Sequence, residues 1–330
     1  MTKPTRSQVH ADKPLTNMSV AYVQKQDGFV ADKVFPIVPV EHQSDTYYVF
    51  NMGDFNRDEA KDRAPGTESA GGGFSLTTTT YTCKVKAFHK DLPWQHLNNQ
   101  DQSVNLERAA VEFVTNKMLI AKENQWMSSF FAASVWTSDW DGVASSPNGT
   151  STFYQWSDYT NSNPVQDLEL ASLTILQRSG YRPNKLVLGA EVYSKLKNHP
   201  DIIERISGGA TNAAPAKVTR QLMANIFEVD EVVVAEAIQN TAKEGQTASH
   251  SFISGKKALL VYAAPSPSLF SPSAGYTFSW SSYIGGSEMG IGMDRFEMRH
   301  LKSDRVEGEI GFSQKATAAD LGVFFDTIVA

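Results

Sequence analysis

The chain has 330 residues, of which 41% are apolar, 20% charged and 11% aromatic, and its formal net charge at pH 7 is −6. This is a globular composition with no basic surplus that would call for a nucleic-acid or anionic-membrane partner. The single cysteine, Cys83, excludes an intrachain disulfide and an all-cysteine metal cage; no apolar run reaches membrane-span length, and MTKPTRSQVHADKP lacks the hydrophobic segment of a secretory signal.

Residues 1–45 read as an arm. They hold few periodic apolar positions, four prolines (Pro4, Pro14, Pro36, Pro39), and up to Lys25 a mild basic excess. VFPIVPV, residues 34–40, is an apolar strip whose prolines forbid a central strand and suit a sheet edge. For the first twenty residues a disordered terminus is the alternative to an ordered arm. Residues 46–88 read as a hairpin. TYYVF leads out, NMGDFNRDEAKDRAPGTES forms a polar tip, Gly71 to Gly73 leave the backbone free, and LTTTTYTCKVKAF returns. A tip of roughly twenty residues far exceeds the usual hairpin loop, and a ribbon this poor in apolar surface is marginal alone. Arg57, Asp58, Glu59, Lys61, Asp62 and Arg63 alternate in sign along the tip.

A long helix follows, expected from Ser103 to about Val135 with Asp101 and Ser103 as caps. Leu106, Phe113, Ile120 and Met127 recur at heptad spacing, with Ala109, Ala110, Phe130 and Phe131 filling the same face, and predict its packed side over about thirty residues or roughly 45 Å. Residues 136–163 are rich in Ser, Asn and Gly but carry Trp136, Trp140, Phe153, Tyr154, Trp156 and Tyr159, which predicts an ordered, packed loop. Asn163-Pro164 opens a helix that Gly180 ends. Strand and helix then alternate: a strand at 185–188, helical pieces at 190–198 and 200–206 split at His199-Pro200, a loop SGGATNAAPA, and a helix at 218–227. Strands are expected at 231–238, 251–262 and 275–283. Residues 164–283 thus form an α/β unit, and 284–330 return as strands toward the long helix and the ribbon's base.

The motifs of chemistry are missing. Gly255-Lys256-Lys257 lacks the upstream glycine of a phosphate loop, and the glycines of 285–292 are not spaced as a dinucleotide fingerprint. No G-x-S-x-G elbow or HExxH pattern occurs, and Asp139-x-Asp141-Gly142 lacks the later ligands of a calcium loop. Cys83, alone on an extended strand, reads as inert despite adjacent lysines. Neither catalytic residues nor a cofactor or metal site is expected.

An arm, a long ribbon and an uninterrupted helix leave backbone and apolar surface that one chain cannot cover, but that copies of the chain could cover for one another. In residues 153–206 (FYQWSDYTNSNP through HPDIIERI), 222–240 (LMANIFEVDEVVVAEAIQN), 19–40 and 318–329 (AADLGVFFDTIV), the chain resembles the major capsid proteins of tailed bacteriophages. That resemblance implies an α+β chain of the Hong Kong 97-type capsid fold. It implies an N-terminal arm (1–45), an extended β-hairpin loop (46–88), a peripheral domain with the spine helix (89–163), an axial α/β domain (164–283) and C-terminal strands returning to the peripheral domain (284–330). It further implies a virion structural protein without enzymatic activity, assembled in the host bacterial cytoplasm. Many copies would join as pentamers and hexamers of an icosahedral shell around double-stranded DNA, without sequence-specific DNA binding and without a membrane. Because arm and ribbon fill the residues ahead of the helix, scaffolding is expected from a separate protein, with portal and decoration proteins as further partners. Residues 57, 58, 59 and 61–63 would become intersubunit contacts. Crosslinking chemistry known in some members is not carried over, since no motif identifies a partner asparagine for Lys61. An encapsulin-type shell and a soluble α/β enzyme are the alternative readings.

Overall fold

In the computed structural model the described residues are 24–50, 52–99, 105–149, 151–207, 218–267, 272–284 and 291–330. Most of the arm, the caps expected at Asp101 and Ser103, and all but the first residue of the loop SGGATNAAPA lie outside them. The chain runs through β1 (Ile37–Val40), β2 (Ser44–Phe50), α1 (Met52–Phe55), β3 (Leu76–Thr82), β4 (Lys84–Pro93) and α2 (Trp94–Asn98) to the long helix α3 (Leu106–Phe130). Next come β5 (Ser138–Val143), β6 (Thr152–Tyr154), α4 (Pro164–Ser179), β7 (Lys185–Gly189), α5 (Ala190–Leu196), α6 (Pro200–Ser207), α7 (Arg220–Ile226) and β8 (Glu231–Ala235). The remainder is β9 (Ile238–Asn240), β10 (His250–Phe252), β11 (Ala258–Val261), β12 (Gly275–Trp280), α8 (Ser281–Ile284), β13 (Ile291–Met298), β14 (Ser303–Ala316) and β15 (Gly322–Asp326).

Two sheets organise these elements. In the five-stranded sheet β14 is central and pairs with β13, β4 and β12. The proline-bearing β1 lies parallel to β12 at the edge, where the missing N–H of Pro39 costs no ladder bond. The six-stranded sheet has the order β6-β5-β15-β11-β7-β8. Its strands alternate between two apolar faces. Leu186, Leu188, Val232, Val234, Leu260 and Phe325 pack under α4 to α7. Val187, Val233, Leu259, Val261 and Phe324 face Val30, Val34 and Phe35 of the arm's root and Trp126 and Phe130 of α3. A sheet covered on both faces needs apolar side chains at consecutive positions, which is why these strands read as continuous apolar runs.

Sheet membership departs from chain order. Residues 136–163, expected as a packed loop, supply β5 and β6 to the six-stranded sheet, with Ser138, Trp140 and Gly142 buried in strand alternation. β15 pairs with β5 and β11 in that same sheet, whereas β12 pairs with β1 and β14 in the five-stranded one. The boundaries drawn at 163/164 and 283/284 therefore do not divide the two sheets. The strand expected over 251–262 is broken at Gly255, whose φ of +60° makes a turn between β10 and β11. His199 is fully buried, with Nε2 3.0 Å from the Ser162 hydroxyl and Nδ1 accepting from the Asp201 N–H, which holds the break between α5 and α6.

The long helix is shorter than expected, 25 residues or about 37 Å. Asn105 caps it by accepting from the Arg108 N–H, and the Trp136 indole donates to the Phe130 carbonyl at its other end. Its packed face differs in part from the expected one: Ala110, Met127, Phe130 and Phe131 are buried as expected, Ala109 and Phe113 are exposed, and Val114, Met118 and Trp126 are buried in addition. Two charges on the buried face, Lys122 and Glu123, hide that stripe in the sequence. Lys122 reaches Asp32 at 2.5 Å, and the Glu123 carboxylate accepts from the N–H groups of Val30 and Ala31 at 2.9 to 3.1 Å.

Burial pushes the Glu123 carboxyl up from 4.5 to about 7, with the Ala31 and Val30 N–H groups pulling it down and Asp32 adding a smaller upward push. Its folded value lies above the unfolded one, so the contribution is full below about pH 4.5 and is lost as pH rises through about 7. Asp167, raised to about 6 by burial against the pull of the Trp156 indole, adds to the same trend. Urea unfolding of the free subunit is expected to show stability falling from pH 4.5 to 7, with Glu123 supplying on the order of 3 kcal/mol. Glu123→Gln should flatten that slope to the part owed to Asp167. Glu123→Ala should cost about 2–4 kcal/mol at pH 7 by stranding two buried N–H groups.

Candidate functional site: ribbon and tip

β3 and β4 are one extended run that changes partner at Cys83. On one side β3 pairs with all seven residues of β2; on the other β4 pairs with β14 over ten residues. At the change of partner the Cys83 N–H donates to the Gln43 carbonyl at 2.8 Å and the Gln43 amide donates back to the Cys83 carbonyl. The thiol is buried against the Phe278 carbonyl, and burial pushes it up to about 11, so it stays protonated. Tyr81 stacks on Phe278 at 4.6 Å and Tyr47 packs on the same ring at 5.6 Å. This small cluster is the ribbon's root. Beyond it every residue of β3 except Tyr81 is exposed, because Thr77 to Thr80 have nothing of their own chain to cover them.

The tip spans residues 51–75, between the last paired residues of β2 and β3. Phe50, Phe55 and Phe74 meet there with ring centroids 5.6 to 5.9 Å apart, although Phe55 is 56% and Phe74 62% exposed. The Asp54 carboxylate accepts from both the N–H and the hydroxyl of Ser75, which holds it below the ordinary carboxylate range and ties α1 to the returning strand. The six charged positions expected as contacts all lie in this tip. Arg57 pairs with Glu59 at 3.1 Å and with Asp54 at 3.6 Å, and Arg63 donates to the Thr67 carbonyl. Asp58, Lys61 and Asp62 are exposed and have no ion-pair partner among the described residues. The aromatic triad was missed by sequence reasoning; its signal was a phenylalanine on either border of an otherwise polar run.

The arrangement sets three clustered aromatic rings and exposed charges at the far end of a two-stranded ribbon. Among the described residues no group of three or more His, Cys, Asp or Glu is placed to hold a metal ion. Among them, too, no helix is long and apolar enough to cross a membrane.

Residues 139–271 match the family described as phage major capsid protein E. The major capsid protein of Pseudomonas phage JBD67 is 26% identical over 325 residues, 97% of each chain. That of Burkholderia phage BcepMu is 26% identical over 271 residues, 81% of this chain and 82% of its own. Among solved structures, a phage-related protein of Bordetella bronchiseptica RB50 is similar at a TM-score of 0.67 and 20% identity, with 92% and 94% of the two chains covered. The capsid of cyanophage P-SCSP1u gives 0.61 at 10% identity over 93% and 90%. An encapsulin complex of Synechococcus elongatus gives 0.56 at 10% over 97% and 96%.

If the phenylalanine triad holds the tip, Phe74→Ala should cost about 1 kcal/mol of local order and speed trypsin cleavage after Arg57, Lys61 and Arg63 roughly fivefold. The unfolding midpoint of the body should stay where it is. Cleavage at the wild-type rate would show that the strands alone hold the tip.

Proposed function

We infer that this chain, a phage major capsid protein with the Hong Kong 97-type fold, closes its shell by laying the ribbon of each copy over a neighbouring copy. The observation that carries the reading is the ribbon itself. It is anchored by ten ladder residues, projects seven paired residues and a 25-residue tip, and leaves nearly all of that surface exposed. A lone subunit gains nothing from ordering so much backbone, since the entropy cost has no apolar burial to offset it. A neighbouring copy supplies the missing surface.

In this reading the tip charges Arg57, Asp58, Glu59, Lys61, Asp62 and Arg63 meet other copies. The six-stranded sheet with α4 to α7 forms the axial part, gathered at the centres of pentamers and hexamers. The five-stranded sheet with α3 and the ribbon forms the peripheral part. The shell is icosahedral, assembled in the host cytoplasm with a separate scaffolding protein, and fitted with a portal and a decoration protein. Double-stranded DNA is enclosed without sequence-specific contacts, which a net charge of −6 suits, because a strongly basic wall would hinder DNA movement. The role is structural, not catalytic.

Negative-stain electron microscopy with light scattering on the recombinant protein, alone and coexpressed with its neighbouring genes, tests this. Uniform shells, or pentamers and hexamers that convert to shells, are expected. Deleting residues 54–72 should abolish closed shells while the circular dichroism and unfolding midpoint of the subunit persist. A stable monomer under every condition would overturn the reading. Terminase and portal genes beside this one would separate a phage shell from an encapsulin, where a cargo gene is expected.

A further inference from the structure

Where the ribbon joins the body, three lysines line one cleft and none has a carboxylate partner. The cleft, of about 740 Å³, lies between the ends of β3 and β4, the helix α3 and the end of β14. Lys84 and Lys86 line it from alternate positions of β4, and Lys315 borders it from β14; none of the three is ion-paired among the described residues. Lys86 is half-buried over the Phe312 ring, and burial, then the charge of Lys84, holds it below the ordinary lysine range. Lys84 and Lys315 are exposed, so the cost of the unopposed charge falls on the half-buried Lys86.

A second observation points to what fills the cleft. Gln314 lines it, is only 5% exposed, and neither its amide nitrogen nor its amide oxygen has a partner among the described residues. A buried amide with both ends open asks for a donor and an acceptor together. A phosphate can only accept. The backbone of an extended peptide offers both, and an acidic one would also answer the lysines.

The chain carries such a segment at the far end of the same ribbon. Between 52 and 75 there are five carboxylates against three cations. Asp58, Asp62 and Glu68 are exposed and unpaired, and no backbone group of residues 57–63 is hydrogen-bonded among the described residues. Seven paired residues, about 23 Å of strand, separate this tip from the ribbon's root, so it does not fill its own cleft. The segment 1–23 has the wrong sign, with Lys3, Arg6 and Lys13 against Asp12.

We propose that the lysine cleft at the root of one ribbon receives the tip of a second copy's ribbon, with Asp58 and Asp62 meeting Lys84, Lys86 and Lys315 and Gln314 bonding the tip's backbone. This rests on the capsid reading above and names the acceptor for the contact proposed there. Because tip and cleft are different patches, copies can pass the contact on head-to-tail around a ring, as the pentamers and hexamers of the capsid reading require.

A charge swap tests the pairing. Lys84→Glu/Lys86→Glu and Asp58→Lys/Asp62→Lys should each lower the yield of closed shells roughly tenfold or more, and the two combined in one chain should recover it to within about threefold of wild type. Unfolding midpoints of the free subunits identify any variant that misfolds. Independently, oxidised shells carrying Asp62→Cys and Lys315→Cys should give a ladder up to pentamers and hexamers on a denaturing gel. Reversals that assemble like wild type, a swap no better than the single reversals, or no ladder would overturn the proposal and leave the capsid reading intact. Cleft reversals that build normal shells but lose DNA content would assign the lysines to DNA and equally overturn it. Wild-type protein that never forms shells would overturn both.

Discussion

The ribbon exists because β4 is stitched to β14 over ten residues. A two-stranded hairpin in water is marginal, and β2 and β3 bury almost nothing. Their direction comes from continuity: β3 is β4 prolonged past Cys83, so the sheet's twist and tilt are handed on to the ribbon. The Cys83–Gln43 bonds and the stack of Tyr81 on Phe278 keep the handover from becoming a hinge. The long helix α3 braces the same strand from behind, and a side chain at Gly308 would collide with Val114 where the helix crosses β14 and press on Met293 of β13. A rigid root with a polar, clasped tip follows from that single ladder.

A second constraint ties the two sheets together, and it is electrostatic at its centre. Lys122 and Glu123 sit on the buried face of α3 and bind the arm's root through Asp32, Val30 and Ala31. Burying charges is expensive, and apolar residues of equal size would give similar or better stability. What the charges add is location. An apolar patch could slide along the helix, whereas two N–H groups pointing at one carboxylate fix the register of residues 29–35. Those residues then wedge between α3 and the six-stranded sheet, with Val30, Val34 and Phe35 packed on one side and Phe29 on Met118 and Phe312 on the other. Arm, spine and both sheets share this joint.

Local signals explain what the sequence revealed. Asn163-Pro164 and Gly180 bound α4 because cap and left-handed residue act within a single turn. Pro39 placed β1 at an edge by chemistry it carries alone. Thr77 to Thr80 and the charged run gave the ribbon and its tip. What stayed hidden depends on distant partners. β5 is short and polar-flanked, and becomes a strand only by pairing with β15, some 180 residues later. The helix face was misjudged because Lys122 and Glu123 look solvent-seeking until Asp32 and the arm's backbone are seen beside them. In the tip the charges could be named in advance, yet the triad of Phe50, Phe55 and Phe74 needed the chain to return. The lysine cleft also joins residues from four separate elements. Only the alternation of Lys84 and Lys86 was local, and it reads equally as an exposed strand face.

The two ends of the ribbon also constrain how copies meet. Tip against tip or cleft against cleft would set like charge against like: excess carboxylate in one case, three lysines in the other. A contact of tip with cleft sets opposite charges together and satisfies the Gln314 amide in the same step. In a ring each copy gives its tip to one neighbour and receives the tip of the other, so a single kind of contact joins every pair. Open charge at both ends would keep the free subunit soluble, so the features that look unsatisfied in one chain are those that favour closure in many.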